Sequence, residues 1–208
     1  IRELPGSDVL KVKLGSSYDT ETLAAVLRED ERPLFLDANQ GWTRLEQALE
    51  AIELVGRTRL VGLEQPFAKD RFDLHRELRD AGIVDLFADE SVQDADDMER
   101  VAGSFTGINI KLMKCGGLDR AIELIKRARG SGLGVMLGSM SESSLGCGAM
   151  AQLSRYADLI DLDGPWLIAN DPFTGLALEG GRMVHQGSTG VGVALRRSAL
   201  FDWRYNGA

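Results

Sequence analysis

Only six of the 24 basic residues are lysines, and four of those six fall in two short apolar segments, Lys11-Val-Lys13-Leu and Lys111-Leu-Met-Lys114. Lysine, unlike arginine, can have its pKa lowered far enough to act as a base, so a lysine inside an apolar run is a candidate proton carrier. Lys11 and Lys13 are two residues apart and share one face of an extended chain. Two ammonium groups on one buried face are expected to depress at least one of their pKa values. Lys111 lies between Ile110 and Leu112, where an exposed lysine would be out of place; Lys114, beyond the run, reads as a solvated loop residue. Three acids, Asp37, Glu64 and Asp89, close three successive apolar runs. Any one of them alone could be a solvated loop acid. Three carboxylates brought together repel unless a cation neutralises them, and an all-oxygen set with open positions suits Mg²⁺. With only two histidines, His75 in a polar helical stretch and His185 near the tail, the residues argue against a zinc site. Two lysines flanking a carboxylate-bound cation suggest removal of a proton from one face of a carbon and its return on the other. Asp161 and Asp163 end a further run and exceed what one metal needs, so a cationic group such as a substrate ammonium is their natural partner. Gly138-Ser139-Met140-Ser141 offers small residues that let a ligand approach closely.

These residues must be carried by regular elements, and the chain supplies them. Apolar runs at 9–14, 33–37, 59–64, 84–89, 107–112, 134–139 and 157–162 are rich in Val, Ile, Leu and Phe without strict alternation, as in parallel strands buried on both faces. One polar residue near each end (Lys13, Asp37, Glu64, Asp89, Lys111, Ser139 and Asp161) gives steps of 24, 27, 25, 22, 28 and 22, about one strand–helix unit each. Between them, 20–30, 70–81, 95–102, 118–129 and 143–156 are expected helices, the first with Asp19 as N-cap. Thr43-Arg-Leu-Glu46 has the capping-box pattern ahead of another. Gly56, Gly82 and Gly130 mark helix ends. Alternating strands and helices mean an α/β fold, either a doubly wound sheet or a (β/α) barrel. No strand is followed by a Gly-x-Gly-x-x-Gly or Walker loop, and polar residues end nearly every strand; both points favour the barrel.

A closed barrel of this type needs eight strands, and seven are present. Residues 1–4 look like the end of a helix, so a first strand and most of its helix are expected to be missing before them. Leu176-Ala-Leu-Glu-Gly-Gly-Arg-Met-Val is a strand–turn–strand signal, followed by an irregular glycine-rich tail.

The remaining composition narrows the partners. With 208 residues, 24 basic against 32 acidic side chains and a net charge of −8, the chain can bury a substantial core but lacks the basic face that nucleic acid requires. No apolar run reaches the roughly 18–20 residues that span a bilayer, and Ile-Arg-Glu-Leu at the start is no signal peptide, so no membrane partner is expected. Cys115 and Cys147 cannot form a disulfide framework, read as small buried apolar residues, and fit a reducing cytoplasm.

Taken together, Lys11-Val-Lys13, Asp37-Ala-Asn39, Leu63-Glu-Gln-Pro66, Ala88-Asp-Glu-Ser91, Asn109-Ile-Lys111 with Gly116-Gly117, Gly138-Ser-Met140 and Asp161-Leu-Asp163 closely resemble the enolase superfamily. The paired lysine motifs resemble its muconate-lactonizing subgroup, and the Asp-x-Asp resembles that of the dipeptide epimerases, of which the L-Ala-D/L-Glu epimerases are the best known. The resemblance runs over about residues 8–195. It implies a (β/α)-barrel of enolase C-terminal type in which the seven strands are barrel strands two to eight, with the first strand and the N-terminal α+β capping domain missing. Residues 1–165 would be the barrel, and 166–208 a C-terminal segment whose β-hairpin packs back toward the capping region. By resemblance Asp37, Glu64 and Asp89 would bind Mg²⁺, and Lys13 and Lys111 would be the acid/base pair. Lys11 would tune Lys13 and contact the substrate carboxylate. Asp161 and Asp163 would hold a dipeptide's α-ammonium, and Ser139 and Ser141 would line the pocket. The implied activity is epimerisation of a small-molecule dipeptide at the α-carbon of its C-terminal residue, by a cytoplasmic and homo-oligomeric isomerase. Rival readings are an N-succinylamino acid racemase, an o-succinylbenzoate synthase or a muconate-type cycloisomerase on the same scaffold, and a non-catalytic barrel that binds a ligand or only assembles.

Overall fold

Burial on both faces accounts for the unbroken apolar character of the strand runs. In the computed structural model, which describes residues 7–186 and 189–196, the strands β1 (Leu10–Lys13), β2 (Leu34–Asp37), β3 (Leu60–Glu64), β4 (Leu86–Ala88), β5 (Gly107–Ile110), β6 (Gly134–Gly138) and β7 (Leu159–Asp161) form one sheet. Every residue of β2, β4 and β5 is buried. All pairings are parallel and each strand pairs with the next in sequence. A doubly wound sheet would reverse its order at a switch point. Here it does not, and Lys11 Nζ on β1 reaches Asp161 Oδ2 on β7 at 2.7 Å, so the two edge strands face each other. The sheet is a curled partial barrel.

Helices cover its outside: α1 (Asp19–Glu29), α2 (Leu45–Val55), α3 (Phe72–Asp80), α4 (Met98–Ala102), α5 (Leu112–Cys115), α6 (Leu118–Gly130) and α7 (Ser144–Ala151). Leu23 of α1, Ile52 of α2 and Leu124 of α6 join Leu36, Leu63 and Ile108 of the strands in one buried cluster. Truncating any of these to Ala would cost about 2–5 kcal/mol. A second cluster, Phe35, Phe87 and Met136 with Val9, Val61 and Leu159 against it, fills the inside. A Cβ on Gly62 would lie 2.6 Å from the Phe35 ring, and one on Gly107 2.5 Å from Phe87, so both glycines are there to admit the rings. The side-chain period of two then lifts the next inward residue of these strands above this floor: Lys11 above Val9, Asp37 above Phe35, Asp89 above Phe87, Asp161 above Leu159.

Several local expectations need correction. Asp19 is the first residue of α1 and does not cap it; its carboxylate instead accepts from Gly15 N–H (2.9 Å), Ser16 N–H (2.9 Å) and Trp42 Nε1–H (2.7 Å), tying two loops together. The box before α2 is closed by Gln47, not Glu46: Gln47 Oε1 accepts from Thr43 and Arg44 N–H at 2.9 and 3.1 Å. The helix expected at 95–102 begins as a tighter 3₁₀ turn, Ala95–Asp97, and that at 143–156 stops at Ala151 before another such turn, Ser154–Tyr156. Gly130 is the last residue of α6, and Gly132 takes the left-handed conformation beyond it (φ 74°). The expected helix end at residues 1–4 lies outside the described residues.

The hairpin forms as the sequence indicates. β9 (Leu176–Glu179) pairs antiparallel with β10 (Arg182–His185) through Gly180 and Gly181 at φ 56° and 79°, as a two-residue turn of this hand requires. It follows β8 (Phe173–Thr174), which pairs with β11 (Ala194–Leu195). Asp171 Oδ2 joins this segment to the start of α7 by accepting from Ser144 N–H and Oγ at 2.9 and 2.5 Å. Cys115 and Cys147 are free and buried. Among the described residues no helix is long and apolar enough to cross a membrane.

His75, on a helix that looks polar in sequence, is fully buried between the rings of Phe67 and Phe105 at centroid distances of 5.2 and 4.5 Å. Its Nδ1 lies 2.8 Å from Arg71 O and its Nε2 3.3 Å from Gln65 Nε2. The Gln65 amide cannot turn over, because its Oε1 already accepts from Asp89 and Ser91 N–H at 3.0 and 3.1 Å. Arg71 O can only accept, so Nδ1 carries the proton; Nε2, facing the hydrogen-bearing amide nitrogen of Gln65, stays unprotonated, which gives the neutral tautomer. Burial holds the His75 pKa down at about 4, despite the hydrogen bond to Arg71 O. The unfolded chain binds a proton near 6.5 and the folded one does not, so His75 stabilises the fold fully above pH 6.5 and progressively less as pH falls to about 4. The difference amounts to roughly 3 kcal/mol. Urea unfolding of parent and His75→Phe between pH 7 and pH 4 should give a shallower acid loss in the variant; parallel curves would remove this role.

Candidate active site

The ends of the strands bring the chemically active residues into one layer. Lys13 is in register with Asp37, and Asp37 with Glu64, while Asp161 is in register with Gly138. The chain then turns away sharply, with Asn39 and Gln65 in left-handed conformations at φ 45° and 36°.

Asp37 and Glu64 are fully buried and Asp89 nearly so. Asp37 Oδ1 accepts from Asn39 N–H at 3.0 Å, and its Oδ2 holds Lys13 Nζ at 2.6 Å and Lys11 Nζ at 3.1 Å. Lys11 Nζ also lies 2.8 Å from Glu64 Oε2 and 2.7 Å from Asp161 Oδ2, so one ammonium serves three carboxylates. Glu64 Oε1 accepts from Asn109 Nδ2 at 2.7 Å. Asp89 holds Lys111 through Oδ2 and Lys114 through Oδ1, both at 2.6 Å. Lys13 and Lys111 thus reach the carboxylate row from its two ends, with Glu64 between.

The electrostatics follow from burial and from these partners. Burial pushes Glu64 up to about 7, with Asp37 and Asp89 adding to it and Lys11 opposing. Burial alone would lower Lys11, but Glu64, Asp161 and Asp37 outweigh it and raise its pKa. The expected depression of a lysine in the Lys-x-Lys pair is therefore corrected for Lys11: the facing carboxylates dominate over the neighbouring ammonium. Lys111 is likewise raised, Asp89 overcoming burial. Asp89 is held below the usual carboxylate range by Lys114 and Lys111, against its burial.

Lys114 is the clearest correction to the sequence reading. It is not a solvated loop lysine: its side chain is 7% exposed and its ammonium rests on Asp89 and on the Asn109 carbonyl. The cause is α5, a one-turn helix that the sequence reading missed and that aims residues 111 and 114 back at the same strand end. The Lys-x-x-Lys spacing carried that signal. Gln65 and Asn109, also buried and polar, were named only within motifs and are structural partners of Asp89 and Glu64.

Asp161 ends β7 and pairs with Lys11, while Asp163 is exposed just beyond it; partial shielding and the facing Asp161 raise the Asp163 carboxyl. Ser139 Oγ accepts from Gly164 N–H at 3.2 Å, drawing the loops after β6 and β7 together, and Ser141 is exposed in the first of these. His185 is exposed at the end of β10.

The carboxylates do not close on one another as the sequence suggested. Among the described residues no three acids, histidines or cysteines group as a ready metal cage, and each of the three carboxylates carries a lysine ammonium instead. The donor set nevertheless suits a hard cation. Asp37, Glu64 and Asp89 offer oxygen only, and among the described residues the buried Glu64 Oε2 accepts no hydrogen bond of good geometry and has the Lys11 charge beside it at 2.8 Å.

The model of the enolase C-terminal domain-like family matches residues 2–199. An L-Ala-D/L-Glu epimerase from Bacteroides thetaiotaomicron is 38% identical over 89% of this chain and 49% of its own length. A dipeptide epimerase from Cytophaga hutchinsonii, solved with Mg and D-Ala-L-Val, superposes with a TM-score of 0.82 at 27% identity, covering 92% of this chain and 55% of the other. An N-succinyl Arg/Lys racemase from Bacillus cereus superposes with a TM-score of 0.83 at 25% identity, covering 93% and 55%. The chain spans about half the length of the curated relatives it matches.

Lys11 carries a heavy share of charge compensation, and its removal should show it. Lys11→Met leaves Asp37, Glu64 and Asp161 facing one another and should lower stability at pH 7 by about 3–5 kcal/mol. The gap to the parent should narrow toward pH 5, as protonation relieves the repulsion. Urea denaturation at both pH values checks this, and a variant as stable as the parent at pH 7 would count against it.

Proposed function

The chain belongs to the enolase C-terminal domain-like family, and from that membership we propose that the protein is a dipeptide epimerase, inverting the α-carbon of the C-terminal residue by proton transfer between two lysines. One observation carries the proposal: Lys13 on Asp37 and Lys111 on Asp89, each at 2.6 Å, approach one row of buried carboxylates from opposite ends. That is the arrangement needed to work on both faces of a carbon held between them.

In this reading Asp37, Glu64 and Asp89 hold Mg²⁺, which when bound supplies positive charge to stabilise the substrate carboxylate as its α-proton leaves. Lys11, with the substrate carboxylate as a further anion, keeps Asp37 and Lys13 aligned. One lysine of the pair, neutral at Nζ, takes the α-proton; the other, an ammonium, delivers its own proton to the opposite face. The protein ends with the two protonation states exchanged and the substrate inverted. Asp161 and Asp163 bind the dipeptide's α-ammonium, and the loop carrying Ser139 and Ser141 lines the pocket. Of the C-terminal segment, 187–188 and 197–208 lie outside the described residues; its hairpin, Leu176–Glu179 with Arg182–His185, is taken to pack toward the region that a capping domain would occupy. The working species is taken to be a cytoplasmic homo-oligomer.

A second reading is favoured by the superposition on the N-succinyl Arg/Lys racemase: racemisation of an N-acylated amino acid by the same two lysines. Such a substrate has no free ammonium for Asp161 and Asp163, which is why the dipeptide is preferred.

With the full-length protein, Mg²⁺ and L-Ala-L-Glu in D₂O, deuterium should enter at the C-terminal residue's α-carbon, followed by mass spectrometry. Lys13→Ala and Lys111→Ala should each lose at least about 100-fold in epimerisation, as expected when a general acid or base is removed; either at full activity removes that lysine from the mechanism. Asp161→Asn with Asp163→Asn should raise KM for the dipeptide and leave an N-succinylamino acid unaffected. Loss on the N-succinyl substrate alone would favour the second reading.

A further inference from the structure

Asp89 is held differently from the other two carboxylates. Its backbone N–H donates to Gln65 Oε1 at 3.0 Å, and the same oxygen takes the N–H of Ser91 at 3.1 Å. Its carbonyl oxygen and its Oδ1 both accept from Lys114 Nζ, at 2.7 and 2.6 Å, and the third hydrogen of that ammonium goes to Asn109 O at 3.0 Å. Three donors meet three acceptors, so the Lys114 ammonium is saturated. Among the described residues Lys111 makes one hydrogen bond, to Asp89 Oδ2 at 2.6 Å. Gln65 is itself fixed from below: its amide donates to Phe67 O at 3.2 Å and to Ser91 Oγ at 2.8 Å, and Ser91 Oγ donates onward to Lys69 O at 2.8 Å.

We propose that Lys114 and Gln65 are positioning residues that commit the backbone and Oδ1 of Asp89 permanently, leaving Oδ2 as its single working oxygen, shared between Lys111 and a bound Mg²⁺. The proposal rests on the reading of Asp89 as a metal ligand. A carboxylate free at both oxygens could rotate or bind a cation through both; the saturated ammonium on Oδ1 prevents each. It also keeps Oδ2 turned toward Lys111, so one oxygen links the metal position to the proposed proton carrier.

Charge and position make opposite demands on Lys114. As a cation beside a cation site it repels Mg²⁺, so if it served only to neutralise Asp89, its removal would tighten metal binding. If it serves to position Asp89, its removal weakens binding. Calorimetric titration of the full-length protein with Mg²⁺ alone should give about 10–100-fold weaker binding for Lys114→Met and for the uncharged exchange Gln65→Met, the loss usual for partners that orient a ligand. Unchanged or tighter binding in a folded Lys114→Met would overturn the proposal.

The parent protein supplies a test that needs no variant to fold. With six lysines, the ¹⁵N-lysine ammonium spectrum is sparse. The Lys114 signal, assigned through its contacts with Asp89 and Asn109, should exchange slowly with water before metal is added and stay in place when Mg²⁺ is added, while the Lys111 signal moves. A Lys114 signal that exchanges freely, or moves as the Lys111 signal does, overturns the proposal. A protected Lys114 with every signal indifferent to Mg²⁺ supports the clamp and instead sinks the reading of Asp89 as a metal ligand.

Discussion

Buried like charges are the constraint on which the rest depends. Asp37, Glu64 and Asp89 close adjacent parallel strands with almost no contact with water, and no fold keeps three such groups ionised without cations at hand. The chain answers with lysines placed inside its own strands and at their ends. Lys11 does this across the largest distance in the topology, joining Asp37 and Glu64 to Asp161 on the opposite edge strand. The curl of the sheet and the neutralisation of its mouth are therefore one arrangement: flatten the sheet and the acids of β2 and β3 lose the ammonium that β7 helps to orient.

The same strands keep the polar layer apart from an apolar one. Phe35, Phe87 and Met136 lie one inward position below the carboxylates, so an apolar floor shields the charges from beneath. Two glycines make room for the rings, and the two-residue period of a strand does the rest. Low dielectric under the site is what pushes Glu64 up to about 7, and it makes each ammonium–carboxylate contact above it stronger than the same pair in water.

The seven strands, most helices, the hairpin and the row of strand-end acids were legible because they depend on periodicity and spacing, which are properties of the chain itself. The buried state of His75 was not, because Asp73, Arg76 and Glu77 beside it make α3 look polar, and only packing shows that His75 faces Phe67 and Phe105. Lys114 was misjudged for a related reason. Its placement depends on a one-turn helix too short to leave a periodic signal, Leu112–Cys115, ended by Gly116 at φ 89°. The arrangement of charges was the least accessible feature. That a Lys-x-Lys pair shares a face follows from the strand, but whether its pKa falls or rises depends on what stands opposite, and for Lys11 three carboxylates do.

The two proposed proton carriers occupy unlike surroundings: the Lys13 side chain is 60% exposed and that of Lys111 8%. The carboxylate row is therefore open to water at its Lys13 end and closed at its Lys111 end. A ligand lying across Asp37 and Glu64 would itself cover Lys13, remove its water and strengthen its pairing with Asp37. Lys111 is already shielded by the fold and its Asp89 partner is already fixed by Lys114. The wall of the carboxylate row over β4 and β5 is thus closed by the fold itself, while the wall over β1 and β2 stays open to solvent at Lys13.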